Sequence, residues 1–250
     1  MNDFSQTLLE QVLLPRRVRY MPVTGSTNDD AVAWLRDAPP QGSIVIADEQ
    51  HGGRGRLGRP WYAPAGSALL LSIIAYPPVE YLTRLTMVGS LAVVDLLESY
   101  EIAKVGIKWP NDVRVDTRKI CGVLPEASWE GGRFCGAVLG IGLNVNIPFI
   151  LTQYAETAVS ISDALGEPVD RLETLSRLVQ RLDFWLANIH TPMIFETWRA
   201  RLVTLGTWVT VQTPTGIRSG MAEDVSADGG LLLRKADGAL EQIRAGEIGV

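Results

Sequence analysis

KICGVLPE at 119–126 and RFCGAVLGIGLNVN at 133–146, on either side of Gly131-Gly132, read as two strands of one hairpin. Aliphatic residues crowd both runs, and the glycine pair supplies the turn between them. Working outward, 105–109 is a further strand that runs into the turn signal Pro110-Asn111-Asp112. Before it, 82–100 has an apolar helical stripe interrupted by Asp95. The runs 17–23, 43–47 and 68–76 read as strands, and 5–14 as a short helix that stops before Pro15. A second short helix opens at GSTND, 25–29, where Ser26 and Asp29 have capping-box spacing. The segment 48–65 is rich in glycine and arginine, has no apolar period and reads as a loop.

Downstream, Leu172, Leu175, Leu178, Val179, Leu182, Leu186 and Ile189 recur at helical spacing, and a further helix covers 192–203. After Gly206 the pattern changes to short strands separated by turn signals at Pro214, Asp228-Gly229-Gly230 and Asp237-Gly238. That pattern predicts a small β-barrel over 206–250, following an α/β (α+β) domain over 1–205.

The chain has 250 residues, 46% of them apolar, enough for a sizeable core, and a net charge of −5. The acidic balance argues against broad, non-specific DNA binding. Cys121 and Cys135 are too few for a disulfide framework, and the first 14 residues, with Asp3 and Glu10, do not resemble a signal peptide. The longest apolar run, 68–76, is too short to span a bilayer. These features predict a cytoplasmic protein, independent of membranes, with reduced thiols.

Four segments carry candidate chemistry. QHGGRGRLGRPW, 50–61, combines glycines that let a backbone approach a ligand with Arg54, Arg56 and Arg59, which can hold phosphate or carboxylate. By composition alone it fits a flexible basic surface loop, or an RNA contact, equally well. KWPND, 108–112, places Lys108 and Asp112 at a strand end, facing one pocket or simply closing a turn with Trp109 in the core. In RKICGVLPE, 118–126, Lys119 opens a strand with buried neighbours, and Gly122 marks a close approach or a bulge. GIGLNVN, 140–146, is not a dinucleotide fingerprint, because the spacing is wrong and no long helix follows. His51 and His190 have no metal-ligand companions, and both cysteines read as small buried hydrophobes.

In this order, GSTN, QHGGRGRLGRPW, KWPND, RKICGVLPE and GIGLNVN resemble the biotin protein ligase family, over roughly 18–250. The resemblance implies a catalytic domain related to class II aminoacyl-tRNA synthetases and a C-terminal barrel of Src-homology-3 type. It implies a two-step reaction. Biotin carboxylate attacks the α-phosphate of ATP to give biotinyl-5′-adenylate and pyrophosphate, with magnesium accompanying ATP. A lysine of a biotin carboxyl carrier protein then takes the biotinyl group and AMP leaves.

Carried over position by position, the resemblance implies that Ser26, Thr27, Gln50, Gly53, Arg54, Trp61, Lys119 and Gly122 bind biotin. It assigns Arg54, Arg56, Arg59, Lys108 and Asn144 to ATP, and catalytic roles to Lys119, Arg56, Lys108 and Asp112. No residue is assigned to a metal. With 24 residues ahead of Gly25, the expectation is a monofunctional ligase without a DNA-binding domain, able to form a homodimer as some relatives do. The rival readings are a lipoate–protein ligase or lipoyl transferase, a DNA-binding repressor, and a non-catalytic biotin-binding protein.

Overall fold

A computed structural model describes residues 4–249; the ends of the two expected domains, positions 1–3 (including Asp3) and 250, lie outside the described residues. The chain runs α1 (Gln6–Val12), β1 (Val18–Thr24), α2 (Thr27–Trp34), β2 (Ile44–Gln50), β3 (Ala68–Ala75), α3 (Leu85–Glu98), β4 (Val105–Lys108), β5 (Asp112–Val115), β6 (Arg118–Glu130) and β7 (Arg133–Asn144). It continues with α4 (Ile161–Leu165), α5 (Arg171–Ala187), α6 (Pro192–Ala200), β8 (Trp208–Thr213), β9 (Gly216–Val225), β10 (Leu231–Arg234), β11 (Leu240–Ile243) and β12 (Glu247–Ile248).

The first seven strands form one sheet in the order β1-β2-β3-β7-β6-β5-β4. Only β1 and β2 pair in parallel; the other neighbours are antiparallel, including the β6–β7 hairpin around Gly131-Gly132. Helices α3, α5 and α6 pack on one face, with Leu91, Val94, Leu175, Leu178 and Trp198 against Ile46, Leu71, Val123 and Leu139. The alternate residues of the same strands, Val45, Ile74 and Val138, face α2 through Ala31, Trp34 and Leu35. Strand β3 is therefore buried on both sides, and its sequence, ALLLSIIA, has no polar alternation except Ser72. Asp95, the polar member of the α3 stripe, accepts a hydrogen bond of 2.8 Å from Trp185 Nε1 on α5, while burial pushes its carboxyl pKa up.

One buried ion pair ties this layer together. Arg171, at the start of α5, meets Asp48 on β2 at 2.7 Å, and both are almost fully buried. Arg171 also donates to Ala68 O and lies over the Phe4 ring. The Tyr20 hydroxyl donates to Asp48, and burial together with that bond pushes its pKa up to about 12.

The last five strands form a second, antiparallel sheet in the order β11-β10-β9-β8-β12, with Val209, Val211, Ala222, Leu231, Leu233 and Ile243 inside. It docks on the first unit through Trp109, whose indole N–H donates to Gly229 O at 2.9 Å and whose backbone N–H donates to Thr204 Oγ1. No helix among the described residues is long and apolar enough to cross a membrane.

Some expectations need correction. The long helix starts at Leu85 rather than 82, because 79–84 winds as a tighter 3₁₀ turn. Residues 48–50 belong to β2 rather than to the loop, and β5 follows the Pro110 turn directly. Ser26 occupies the N-cap position of α2 but makes no capping bond with its side chain. Cys121 is fully buried, whereas Cys135 is only half-buried.

Candidate active site

The first turn of α2 is built from buried polar groups. Gln50 on β2 accepts from Thr27 N–H through Oε1 at 2.6 Å, satisfying one of the orphan amides of a helix start. The Ser26 side chain makes no capping bond and lines a cavity. Ser72, the polar residue of β3, bridges Thr27 Oγ1 at 2.8 Å and Asn28 Oδ1 at 2.7 Å. Asn28 also donates to Glu126 Oε2 at 2.8 Å. Side chains this deeply buried are fixed only when their hydrogen bonds close on one another, as these do.

Two glycines make room for this arrangement. A Cβ on Gly140 would overlap the Asn28 amide, and one on Gly142 would come within 2.7 Å of the Trp61 ring. Trp61 lies over Gly142 and beside Gly122, and its indole nitrogen is buried without a partner among the described residues. Around it sits a narrow cavity of about 50 Å³, lined by Ser26, Thr27, Gln50, Arg54, Trp61, Lys119 and Gly122 among others. Arg54 closes one side, bidentate to Asp29 at 2.6 and 2.8 Å and 3.3 Å from Glu126. That pairing raises the Arg54 pKa and lowers that of Asp29.

A larger cavity of about 380 Å³ adjoins it. Arg56, Arg59, Lys108, Asp112, Lys119 and Asn144 stand in its wall, with Phe149, Tyr62 and Tyr154 as an aromatic flank. The two cavities share Gly55, Trp61, Asn111 and Lys119. Lys119 Nζ is 2.6 Å from Asp112 Oδ1 and 5.4 Å from the centre of the Trp61 ring. Asn144 donates to Val159 O at 3.1 Å, and its Oδ1 is buried without a partner among the described residues.

The orientation of Lys119 depends on a break in the strand register. Val113 pairs with Cys121, but the next residue, Arg114, pairs with Lys119, so Ile120 is an extra residue in β6. A bulge of this kind re-aims side chains. Without it Lys119 and Cys121, two residues apart, would share a face. With it, Cys121 is buried in the core beside Val113 while Lys119 lines both cavities. Burial pushes the Cys121 thiol well above its ordinary range, which disfavours the thiolate that nucleophilic chemistry would need.

The second sheet supplies part of the larger cavity. Arg56 donates to Gly246 O at 2.9 Å, Lys108 donates to Ile248 O at 3.0 Å, and Arg59 pairs with Glu247. Burial lowers the pKa of both Arg56 and Lys108, and for Lys108 the charge of Arg114 adds to it.

The sequence-predicted residues thus divide between two adjoining cavities. Ser26, Thr27, Gln50, Arg54 and Gly122 line the narrow one. Arg56, Arg59, Lys108, Asp112 and Asn144 line the larger one. Lys119 and Trp61 belong to both. Gly53 lines neither; its carbonyl accepts from Trp61 N–H at 2.9 Å. Sequence reasoning did not find Asn111, which touches both cavities, nor Arg114, nor the 246–248 segment. Arg114 could have been found by carrying period-two alternation two residues past Asp112.

Residues 20–144 match the biotin/lipoate A/B protein ligase family, and residues 204–249 match the biotin protein ligase C terminal domain. The biotin--[acetyl-CoA-carboxylase] ligase of Mycobacterium tuberculosis is 33% identical over 247 residues, covering 93% of this chain and 88% of that protein. The bifunctional ligase/repressor BirA of Bacillus subtilis is 30% identical over 241 residues, covering 92% of this chain and 73% of its own length. Among solved structures, biotin protein ligase from Aquifex aeolicus in complex with biotin and ATP superposes with a TM-score of 0.78 at 27% identity, covering 93% of this chain and 97% of the other.

Proposed function

The chain belongs to the biotin/lipoate A/B protein ligase family and is an ATP-dependent biotin protein ligase, and from that premise we propose how its residues divide the reaction. One observation carries the proposal: two cavities of different character meet at a single lysine. The narrow cavity, with hydroxyl and amide groups at the start of α2 and an indole wall, suits an apolar bicyclic ring bearing a polar urea. The larger cavity, with cations and an aromatic flank, suits a nucleotide. The biotin carboxylate and the α-phosphate then meet at Lys119.

In the first step a carboxylate oxygen of biotin forms a bond to the α-phosphorus. The bond from that phosphorus to the bridging oxygen breaks, and pyrophosphate leaves with the electron pair. Lys119 neutralises the charge shared by carboxylate and phosphate, and Asp112 holds its ammonium in place. In the second step the neutral amine of a carrier-protein lysine attacks the acyl carbon, AMP departs, and Asp112, the carboxylate paired with Lys119, takes up the amine's proton. Asn144, with its free Oδ1, faces the adenine.

Magnesium enters with ATP. Among the described residues no three of His, Cys, Asp and Glu come together, so the phosphates would supply most of its ligands, with Asp112, Glu156 or Glu247 at hand in the wall. We divide the chain at 205, with activation on the first domain and the C-terminal domain bracing Arg56, Arg59 and Lys108. The setting we propose is the cytoplasm, where ATP is present and both thiols stay free.

ATP–pyrophosphate exchange with a panel of carboxylic acids tests the assignment. Exchange should depend on biotin; exchange supported better by lipoate would transfer the chain to the lipoate-activating branch, and none with any acid would leave a binding protein.

The arginine loop should also retain the adenylate, a reactive anhydride. Arg56→Gly removes one charge-assisted contact worth about 1.5–3 kcal/mol, together with the tie to Gly246. The expected result is adenylate release faster by roughly 10–100-fold, with biotin appearing on bystander lysines. Release kinetics and labelling of an unrelated lysine-rich protein measure it; unchanged release with background labelling would remove the retention role from Arg56.

A further inference from the structure

We propose that Arg114 binds the terminal phosphates of ATP and holds the pyrophosphate as it leaves. This rests on reading the larger cavity as the nucleotide site. Arg114 follows Asp112 by two residues on β5, so the two side chains share the cavity face, while Val113 and Val115 turn into the core. Across the sheet its rung partners are Gly106 on β4 and Lys119 on β6. Arg114 lines the larger cavity and not the narrow one, which puts it on the side of Lys119 away from the biotin cavity.

Two further observations point to an anion. The Arg114 Nε is buried without a partner among the described residues, and NH1 donates only to Thr117 O at 2.9 Å. The wall also holds more positive than negative side chains: Arg56, Arg59, Lys108, Arg114 and Lys119 against Asp112, Glu156 and Glu247. Lys119 has Asp112 and Arg59 has Glu247, while Arg56, Lys108 and Arg114 rest on backbone carbonyls. Carbonyl dipoles compensate a half-buried cation only in part, and a polyphosphate supplies the missing charge. As the bond to the α-phosphorus breaks, negative charge builds on the departing pyrophosphate oxygen, and the guanidinium stabilises it there.

The test uses the full chain with Arg114→Gln and Arg114→Lys. Three quantities are measured: the KM for ATP in ATP–pyrophosphate exchange, the inhibition constant of pyrophosphate, and single-turnover transfer from preformed biotinyl-5′-adenylate to a carrier domain. Arg114→Gln should raise the KM and the inhibition constant by roughly 10–100-fold. Transfer should keep its rate, since the adenylate has no terminal phosphates, and Arg114→Lys should recover part of the loss. ATP and pyrophosphate constants within twofold of wild type would overturn the proposal, as would transfer slowed by the same factor as exchange, which would mark a structural role in the turn before Lys119. Absence of biotin-dependent exchange in the wild type would instead overturn the nucleotide reading, and this proposal with it.

Discussion

Replacing Lys119 with alanine should leave the chain folded and cut adenylate formation by about 10²–10³-fold, the usual loss for one preorganised donor at a centre of developing charge. The expectation follows from position. Among the described residues Lys119 is the one cation that lines both cavities, so no described neighbour can take its place between carboxylate and phosphate. Its removal also leaves Asp112 without its partner at 2.6 Å, facing two incoming anions. Folding should be spared because the side chain is partly exposed and the strand is held by backbone bonds, among them Lys119 N–H to Thr157 O at 2.8 Å. Single-turnover adenylation measured beside thermal unfolding decides it. Near-wild-type adenylation would remove Lys119 from the chemistry, and a large fall in melting temperature would move its role to the fold.

Arg171→Met is expected to produce the largest change in stability. The substitution roughly keeps side-chain length but strands the Asp48 carboxylate, which is 3% exposed, with only the Tyr20 hydroxyl. Breaking a buried ion pair by removing one partner costs about 3–5 kcal/mol. For a chain of this size that corresponds to a melting temperature lower by roughly 6–20 °C. Asp48→Asn combined with Arg171→Met should recover much of the loss, since no buried charge is then uncompensated. Urea and thermal denaturation of the single and double variants check this; a single-variant loss below about 1 kcal/mol would show that water or a shifted side chain reaches Asp48. The pair also bears on the site. Asp48 begins the approach to Gln50, and its carbonyl accepts from Gly66 N–H at 3.1 Å, fastening the far end of the arginine loop.

Elements with a long, regular apolar period were legible in the sequence. The β6–β7 hairpin and α5 stand where KICGVLPE, RFCGAVLG and the 172–189 leucines put them. Elements without one were not. Strand β5 has four residues and begins inside what reads as a proline turn, and α4 has five, declared only by its Ser160–Asp163 capping box. At the site, side chains presented by contiguous motifs could be read because one local segment presents them. The contacts of Arg56, Arg59 and Lys108 with residues 246–248 span about half the chain or more and leave no local trace. Ser26 misled in a different way. Its spacing suits a cap for the Asp29 amide, but its side chain makes no capping bond and lines the narrow cavity, while Gln50 reaches from another strand to the neighbouring Thr27 amide, an arrangement made by tertiary structure.

The extra residue at Ile120 acts as a dislocation in the strand, with a different parity on each side. On the Gly122 side, even-numbered residues look into the cavities; on the Arg118 side, odd-numbered ones do. The lysine that lines both cavities is therefore addressed by a count from the dislocation. Changes of side chain at 121, where only a small apolar group is required, should be absorbed easily. A one-residue deletion between Lys119 and Gly122 would instead restore a single parity. Lys119 would then still face the cavities, with one residue between it and Gly122 as in an unbroken strand, whereas the full set of residues paired without the bulge would turn it into the apolar layer.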